Sequence, residues 1–267
     1  MRINRYLASC GLGSRRACEE LILAGRISLD GQVVQELAID IGPDCVVQCD
    51  GQLVQPPESY HVVLFHKPKG CVCARHDPQG RKTVYDLLPP HFKRLAHVGR
   101  LDFASRGLLL LSDDGEIVDR LTHPRYEHLK IYRVLLDEPL RKEDREVLTM
   151  GGWVMEDGER PLEPVGVKGD GVSIELTLKE GRNRQIRRMM SAFGREVLDL
   201  QRIAVGEWRL AGMEEGAWTL LSDSEWRSLR QSLGLSALPP QMGMSSPPPR
   251  RMPSRNPKRS SPRGRFH

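Results

Sequence analysis

The feature that most constrains the fold is a run of four leucines within GRLDFASRGLLLLSDDG, residues 99–115. Successive side chains of a strand point to opposite faces of its sheet, so residues 107–112 predict a strand that is buried on both faces. Asp102 lies in the loop that leads into this strand, between Arg100 and Arg106. A charged cluster thus stands at the mouth of a strand that belongs in the interior of a sheet.

The charge of the chain is unevenly distributed along its length. The 267 residues carry a formal net charge of +5. Seven of the 40 basic residues and none of the 35 acidic ones lie between residues 236 and 267, which leaves 33 basic residues in the remainder. This proline-rich stretch has almost nothing to bury, so we expect a disordered basic tail. Basic patches elsewhere must come from local clustering rather than from net charge.

The sequence shows no targeting or membrane-spanning segment. The opening MRINRYLASCG lacks the long apolar region of a secretory signal, and no stretch approaches the roughly 18 apolar residues that span a bilayer. We therefore expect a soluble, cytoplasmic protein.

All six cysteines lie within the first 73 residues, and none forms a C-x-x-C pair. Reduced, partly buried thiols are the ordinary interpretation of such spacing. Cys71 and Cys73, with His66 and His76 nearby, lie in an alternating stretch, GCVCA, that predicts a strand. Zinc binding is the alternative there, but alternate strand positions are an unusual ligand spacing for a tetrahedral site, and we expect no metal.

The first unit, residues 1–59, is predicted to contain two helices and two hairpins. Ile3, Tyr6, Leu7 and Cys10 share one helical face, and Ser14 is a good N-cap for a second helix that ends at Gly25. The Asp-Gly pairs at 30–31 and 50–51 then predict tight hairpin turns.

The second unit, residues 60–235, alternates strands with helices. Strands are predicted over HVVLFHK, GCVCA, GLLLLS, IYRVLL, VSIELTL and WTLLS, and helices over EIVDRLTH, KEDREVLTM, RNRQIRRMMSAF and DSEWRSLRQSL. The predicted fold class is α+β: a small helix–hairpin domain, then a mixed, mainly antiparallel sheet with flanking helices, then the tail at 236–267.

Two predicted helices carry arginine where the helix dipole favours anions. Arg15 and Arg16 occupy the first turn of the second helix. In EGRNRQIRRMMSAFG, residues 180–194, Asn183 is the predicted N-cap, and no acidic residue follows it to offset the basic face, which comprises Arg184, Arg187 and Arg188. A solvated face balanced by carboxylates from elsewhere is one interpretation. Two such helices and a basic tail favour the other, an RNA or DNA phosphate backbone.

Four stretches, in order along the chain, carry a family resemblance. GRLDFASRGLLLLSDDG resembles the signature of the pseudouridine synthases, in the branch that modifies bacterial ribosomal RNA. FHKPKGCVCARHDPQGRKTVYDLLP, KIYRV and EGRNRQIRRMMSAFG resemble that family's other motifs, and residues 1–59 are similar to the RNA-binding domain named after ribosomal protein S4. The resemblance extends to about Trp226 and excludes the tail.

The resemblance implies a role for each motif residue. Asp102 would be the catalytic nucleophile or base, Tyr132 would stack on the flipped uracil, and Arg187 would pair with Asp102. Arg100 would fill the gap that the flipped nucleotide leaves in the RNA, and Ile186 would pack beneath the base. Further RNA contacts are expected from basic residues of the last motif and of the first unit, namely Arg184, Arg188, Arg5, Arg15, Arg16 and Arg26.

General chemistry is consistent with these roles. A uridine inside a stacked strand must leave the stack before its glycosidic bond can be broken, and an aromatic platform would hold it. Uracil delocalises its own negative charge and no water is consumed, so one carboxylate suffices, without metal or organic cofactor. Asp102 could attack the sugar, attack the ring or remove a sugar proton, and the sequence leaves these three routes open.

The expected partner is ribosomal RNA or a ribosome-assembly intermediate, large-subunit RNA in preference to small, bound by a monomer. Two other functions remain open. A non-catalytic RNA-binding or assembly factor would have no need for Asp102 beside Tyr132 and Arg187, and nucleoside hydrolysis would need a second acid beside Asp102. Taken alone, Asp102 could merely cap a turn or pair with a neighbouring arginine, and Tyr132 could be an ordinary core residue.

Overall fold

A computed structural model describes residues 1–42, 44–57, 59–155 and 159–236 of the chain. Residues 237–267, almost all of the predicted basic tail, lie outside the described residues. In the described part, no helix has the length and apolar character needed to cross a membrane.

The first unit contains two helices and a four-stranded antiparallel sheet, as predicted. Its elements are α1 (Ile3–Ser9), α2 (Arg15–Leu23), β1 (Ile27–Leu29), β2 (Gln32–Val34), β3 (Val47–Cys49) and β4 (Gln52–Leu53), with the strands in the order β2-β1-β3-β4. The Ser14 hydroxyl caps α2 by accepting a hydrogen bond from the amide of Ala17. Both Asp-Gly turns have positive φ at both residues, which is the backbone conformation of a type I′ hairpin.

The second unit is built on a nine-stranded sheet with helices around it. Its strands are β5 (Val62–Lys67), β6 (Ala96–Val98), β7 (Arg106–Ser112), β8 (Lys130–Leu136), β9 (Gly166–Lys168), β10 (Ser173–Leu178), β11 (Val197–Val205), β12 (Trp208–Arg209) and β13 (Trp218–Leu220). Its helices are α3 (Gly115–Thr122), α4 (Lys142–Met150), α5 (Gln185–Ala192) and α6 (Asp223–Ser232). The main path runs β13-β5-β7-β11-β8-β10-β9, with β6 beside β7 and β12 beside β11.

The strand with the leucine run, β7, lies inside the sheet and is buried on both faces, as predicted. Leu108 and Leu110 join a cluster that includes residues of α3 and α6, whereas Leu109 and Leu111 join a different cluster with Phe65. Because two cores meet on this one strand, its position is strongly constrained. The loop that precedes it is therefore attached to a rigid support.

The sheet is mainly antiparallel, as predicted, and the β7–β11 pair is parallel. The two strands come unusually close where Gly107 meets Arg202. Gly107 has φ +119°, and a Cβ added there would lie 2.3 Å from the carbonyl oxygen of Arg202. Only glycine fits this position, because any side chain would both strain the backbone and collide with the neighbouring strand.

Three expectations for the second unit were wrong. GCVCA is not a strand: Val72 makes only an isolated bridge to Thr83, and both cysteines of this segment turn into the core near β5. Asn183 is not the N-cap of α5; that position belongs to Arg184, in a left-handed conformation at φ 49°. The nine-residue strand β11, in the middle of the sheet, was not anticipated.

Replacing Gly107 with alanine is predicted to lower the free energy of unfolding by about 3 kcal/mol, because the new Cβ must displace the backbone of β11. Gly115→Ala is the matched control: Gly115 begins α3, and its added Cβ would have nothing within 4 Å. That variant should be neutral or gain up to about 1 kcal/mol. Urea denaturation of both proteins measures the difference, and equal stabilities would contradict the close approach of β7 and β11.

Candidate active site

A cavity of about 420 Å³ opens beside the loop that leads into β7. Its volume lies within the range of roughly 300–1,000 Å³ that is usual for sites of small molecules. Among the residues that line it are five predicted site residues, and Ser105, which lies close to Asp102 in the chain, lines it as well. The five are Arg100, Asp102, Tyr132, Arg184 and Ile186. The fold therefore brings together residues from a loop, a strand of the sheet and a helix that are far apart in sequence.

The loop of residues 99–105, which we call the aspartate loop, is held through its backbone carbonyl groups. The amide of Gly70 donates to the carbonyl of Phe103 at 2.9 Å, and the amide of Ser105 donates to that of Asp102 at 3.0 Å. Three cationic side chains, Lys67, Arg187 and Arg202, donate to further carbonyls of the loop. This anchoring fixes the backbone and leaves the Asp102 side chain free to face the cavity.

Lys67 makes the most extensive of these contacts. It is fully buried, and its Nζ donates to the carbonyls of Pro68 at 3.0 Å, Asp102 at 3.1 Å and Ser105 at 2.8 Å. Burial lowers the pKa of Lys67, whereas the nearby thiols and Asp102 raise it. An ammonium group with all its protons directed at carbonyls is a compact clamp, and it holds both ends of the turn that carries Asp102.

The expected direct ion pair between Arg187 and Asp102 is not present. Arg187 instead donates from Nη2 to the carbonyl of Ala104 at 3.1 Å and from Nη1 to that of Val197 at 2.9 Å. Burial and Arg184 lower the pKa of Arg187, while Asp102 and Asp199 raise it, so the guanidinium and the Asp102 carboxylate interact through space. Within the described residues, no hydrogen bond or ion pair reaches the carboxylate of Asp102.

The remaining predicted residues of the cavity occupy complementary positions. Tyr132 is half-buried on β8 and packs against two hydrophobic clusters. Ile186 is buried on α5 and also lines the cavity. Arg100 is exposed at the rim. The cavity therefore has an aromatic wall, an apolar wall and an exposed cation at its edge, beside the unpaired carboxylate of Asp102.

Arg106, the other arginine that flanks Asp102 in the sequence, faces away from it. Its guanidinium binds Asp199 at 2.9 Å and Glu215 at 2.9 Å, and Lys69 binds Asp199 at 2.7 Å. Burial raises the pKa of Asp199, but hydrogen bonds from Arg106 and Lys69 outweigh it and hold that pKa below its usual value. This network joins β7 to β11. Because Arg106 is bound there, it does not form the ion pair with Asp102 that the sequence left open.

The basic face of α5 is partly balanced from elsewhere in the fold. Arg188 donates to Glu159 at 2.7 Å, so one of the three arginines has a carboxylate that the local sequence did not reveal. Arg184 is exposed and lines the cavity. In the first unit, Arg15 and Arg16 are exposed at the start of α2, and no acidic residue lies in that turn.

The two other predicted RNA contacts of the first unit differ in environment. Arg5 is half-buried on α1. Arg26 is exposed, and its guanidinium binds both oxygens of Asp50, with the shortest contact at 2.5 Å. An RNA phosphate would therefore compete with Asp50 for Arg26.

Cys71 and Cys73 are buried thiols next to the aspartate loop. Cys73 Sγ accepts a hydrogen bond from the amide of Leu101 at 3.4 Å, and Cys71 Sγ donates to the carbonyl of Pro68 at 3.4 Å. Burial raises the pKa of both thiols. In the described part of the chain, no three histidine, cysteine or acidic side chains are grouped closely enough to hold a metal ion.

Sequence reasoning did not single out Lys67, Arg202 or Ser105. Lys67 stands at the end of a predicted strand, where a lysine ordinarily points to solvent. Arg202 is 3% exposed in a strand that was itself missed, and Ser105 resembles any loop serine. The one available signal was the lysine of FHKPKG, which ends a stretch of apolar residues and could have indicated a buried cation.

Comparison with known proteins gives a family match for each unit. Residues 61–192 match the family described as RNA pseudouridylate synthase, and residues 1–44 match the S4 domain. An Aquifex aeolicus protein described as an uncharacterized RNA pseudouridine synthase is 35% identical over 245 residues, which cover 90% of this chain and 97% of that protein.

Two relatives have more specific names. Ribosomal large subunit pseudouridine synthase B of Escherichia coli K12 is 36% identical over 255 residues, covering 90% of this chain and 84% of that protein. The protein of the same name from Bacillus subtilis is 36% identical over 234 residues, covering 86% and 95%. A crystal structure of a pseudouridylate synthase superposes with a TM-score of 0.63 at 28% identity, covering 86% of this chain and 99% of that chain.

Replacing Lys67 with methionine keeps most of the apolar stem of the side chain but removes the ammonium group that three carbonyls share as a donor. We predict a loss of about 2–4 kcal/mol in the free energy of unfolding and faster amide exchange in the aspartate loop. Lys168→Met, at an exposed position of β9, is the control. Denaturation and hydrogen-exchange mass spectrometry measure both effects, and unchanged exchange in residues 99–105 would contradict the clamp.

Proposed function

The chain belongs to the RNA pseudouridylate synthase family, and from this premise we propose that it converts a uridine of large-subunit ribosomal RNA to pseudouridine, with Asp102 as the catalytic carboxylate. The observation that carries the assignment of Asp102 is its unpaired carboxylate, held on an immobilised loop at a cavity shared with Tyr132 and Ile186. The preference for large-subunit RNA is supported by the names of the two relatives from Escherichia coli and Bacillus subtilis.

The first step of the proposed reaction is extrusion of the target nucleotide from its RNA strand. The ring must leave the stack because its glycosidic bond cannot be reached there, and unstacking costs a few kcal/mol. Arg100, exposed at the rim, takes the vacated place, since a planar guanidinium stacks on bases and binds phosphates. The flipped uracil then lies against Tyr132, a contact worth about 1–3 kcal/mol, and over Ile186.

In the second step, the C1′–N1 bond of the nucleotide breaks and its electron pair stays with the uracil. The ring rotates, C5 bonds to C1′, C5 loses its proton and N1 gains one, so atoms and charge balance without water. Asp102 assists by attack on the sugar, attack on the ring or removal of a sugar proton. In each case the carboxylate must be ionised, and the Arg187 guanidinium lies near enough to interact with it through space.

A single carboxylate is consistent with isomerisation and not with hydrolysis. Glycosidases need a second acidic group, because their leaving oxygen takes up a proton and a water must be activated. Three other acidic residues line the cavity: Glu180 is bound by Arg160, Arg182 and Gln185, Glu127 is bound by Lys179, and Glu163 is exposed to solvent. The proposed reaction needs no metal or organic cofactor.

In this proposal the two units have different roles. Residues 1–59 contribute an RNA-binding surface through Arg5, Arg15, Arg16 and Arg26, and residues 60–235 bind and convert the target uridine with further contacts from Arg184 and Arg188. We propose that the protein acts in the cytoplasm as a monomer on ribosomal RNA or an assembly intermediate.

Asp102→Asn is predicted to reduce the rate of pseudouridine formation by at least about 10⁴-fold, because no other unpaired carboxylate lies at the aspartate loop. RNA affinity should remain within about threefold, since the side chain is similar in size and carries little of the binding energy. The control is Asp170→Asn, whose side chain is fully exposed far from the cavity.

The measurement is chemical mapping of pseudouridine in unmodified large-subunit RNA incubated with each protein. Undiminished modification by Asp102→Asn would remove Asp102 from the mechanism. Absence of modification by the wild-type protein, with RNA binding retained, would favour the non-catalytic assembly factor.

Truncation after Ser236 removes seven basic residues and no acidic one. We predict that the slope of log affinity against log salt becomes shallower by up to about 5, because each phosphate contact on single-stranded RNA contributes about 0.7. The rate of a single turnover at saturating enzyme should be unchanged. Filter binding from 50 to 300 mM salt measures the slope, and an unaltered slope would exclude phosphate binding by the tail.

A further inference from the structure

Two almost completely buried residues that line the cavity each have a polar atom without a hydrogen-bond partner among the described residues, and the proposed mechanism has not used either. They are the hydroxyl oxygen of Ser105 and Nη2 of Arg202. Both residues line the cavity, although Ser105 is only 1% exposed and Arg202 only 3%. Both atoms therefore lie just beneath the cavity surface, next to the place where Asp102 is held.

Such groups are costly to a protein that has only to fold. A buried hydroxyl or guanidinium nitrogen without a partner loses its hydration and gains nothing in return. An alanine at position 105 would avoid the cost, because the Ser105 backbone already makes its contacts through its amide and carbonyl. The cost is explained if the partner of each atom arrives with the substrate.

Arg202 is anchored so that one edge of its guanidinium remains available. Nε donates to the carbonyl of Leu108 at 2.8 Å, whereas Nη1 reaches the carbonyl of Arg100 only at 3.5 Å. In the sheet, Arg202 lies directly opposite Tyr132 of β8, so both side chains stand on the same face. A base that stacks on Tyr132 is thereby brought next to the weakly held edge of Arg202.

The charges around this edge favour an electron-rich partner. Lys67 and Lys130 lie nearby, and their ammonium groups are bound by backbone carbonyls. Burial lowers the pKa of Lys130, and the charge of Arg202 lowers it further. Two of the three cations around this edge are therefore bound by neutral carbonyls and not by carboxylates.

We propose that Arg202 and Ser105 bind the target base itself: the Arg202 guanidinium donates to a carbonyl oxygen of the flipped uracil, O2 or O4, and the Ser105 hydroxyl binds the edge of the same ring. This inference rests on the proposed function, and it adds two substrate-contacting residues to that site.

The contact would act on the rate as well as on binding. Whichever of the three routes Asp102 follows, O2 and O4 gain negative charge when C1′–N1 breaks or when the ring is attacked. A fixed cationic donor aimed at that oxygen stabilises the charged state more than the neutral base, which lowers the barrier. If the acceptor is O4, a donor-only group also rejects cytosine, which carries an amino group at that position.

The first test asks whether Arg202 contacts O2 or O4 of the target uracil. The wild-type protein is used to locate the uridine that it modifies in unmodified large-subunit RNA, and short RNAs are made with uridine, 2-thiouridine or 4-thiouridine at that position. Sulfur accepts hydrogen bonds poorly, so one thio substitution should slow the wild-type single turnover by about tenfold. In Arg202→Gln the same substitution should have almost no further effect.

The control for this test is Arg209→Gln, at an exposed position on β12 outside the cavity, which should keep the wild-type sensitivity to sulfur. Arg202→Gln should itself slow the turnover of the uridine RNA by about 100-fold. Arg202→Lys keeps the charge and can still reach the Leu108 carbonyl. It is therefore the second variant to measure if Arg202→Gln folds poorly. Equal sulfur effects in wild-type, Arg202→Gln and Arg202→Lys proteins, for both oxygens, would overturn the contact.

The second test separates activity from stability. Ser105→Ala removes a hydroxyl that has no partner in the free protein, so its melting temperature should stay the same or rise while the single-turnover rate falls about tenfold. Ser112→Ala is the matched control, because the buried Ser112 hydroxyl binds the His61 carbonyl and the Asp114 amide. That variant should melt lower and keep its rate. An unchanged rate in Ser105→Ala would overturn the role of Ser105.

Failure of this inference differs from failure of the proposed function. If the wild-type protein forms no pseudouridine in the RNA, both the proposed function and the proposed contact are wrong. If the wild-type protein and Arg209→Gln are active and the Arg202 and Ser105 variants match them, the function stands and only the contact is wrong.

Discussion

Buried cations that bind backbone carbonyls determine how the site is built. Lys67 and Arg202 are almost completely buried, and neither forms an ion pair within the described residues. Carbonyl oxygens are weaker partners than carboxylates, so this arrangement compensates the desolvation of the cations less well than a salt bridge with good geometry would. It has a different advantage, because it immobilises the backbone on either side of Asp102 without neutralising the carboxylate.

The same choice explains the sharp contrast between neighbouring acidic residues. Asp199 lies on β11, next to the strand that follows Asp102. Lys69 and Arg106 bind Asp199 and hold its pKa low, and these ion pairs connect β7 to β11. Asp102 receives no such partner, and the closest guanidinium group on α5, that of Arg187, is held by the carbonyls of Ala104 and Val197. A carboxylate whose neighbouring cations are bound by backbone carbonyls remains available to a substrate.

The sequence predicted those parts of the fold that follow from local rules. Period, capping and Asp-Gly turns were sufficient for α1, α2 and both hairpins, and apolar continuity was sufficient for β7. It failed for β11 because Asp199, Gln201 and Arg202 interrupt the apolar pattern of a central strand, and these residues are polar since they brace the sheet and line the site. The prediction of a strand at GCVCA failed for the converse reason. Its two buried cysteines alternate as they would in a strand, but the segment is a loop that makes only an isolated bridge.

The site was predictable only to the extent that its motifs are recognisable. Asp102, Tyr132 and Ile186 share one cavity, but no periodicity in the sequence reveals that their strand, loop and helix converge. The role of Arg187 was anticipated as an ion pair and is instead a contact with the loop backbone. Interactions with carbonyl groups leave no trace in residue type, because every residue carries one.

The parallel pairing of β7 with β11 also fixes the order in which a growing chain acquires its site. The carbonyl of Arg100 precedes its donor, Arg202, by 102 residues, and that of Ala104 precedes Arg187 by 83. On a translating ribosome the small N-terminal unit has its partners early. The aspartate loop can already meet Lys67 and Gly70, but it lacks both of its arginine donors until most of the larger unit has emerged. A nascent chain would thus be able to hold RNA before it could alter it.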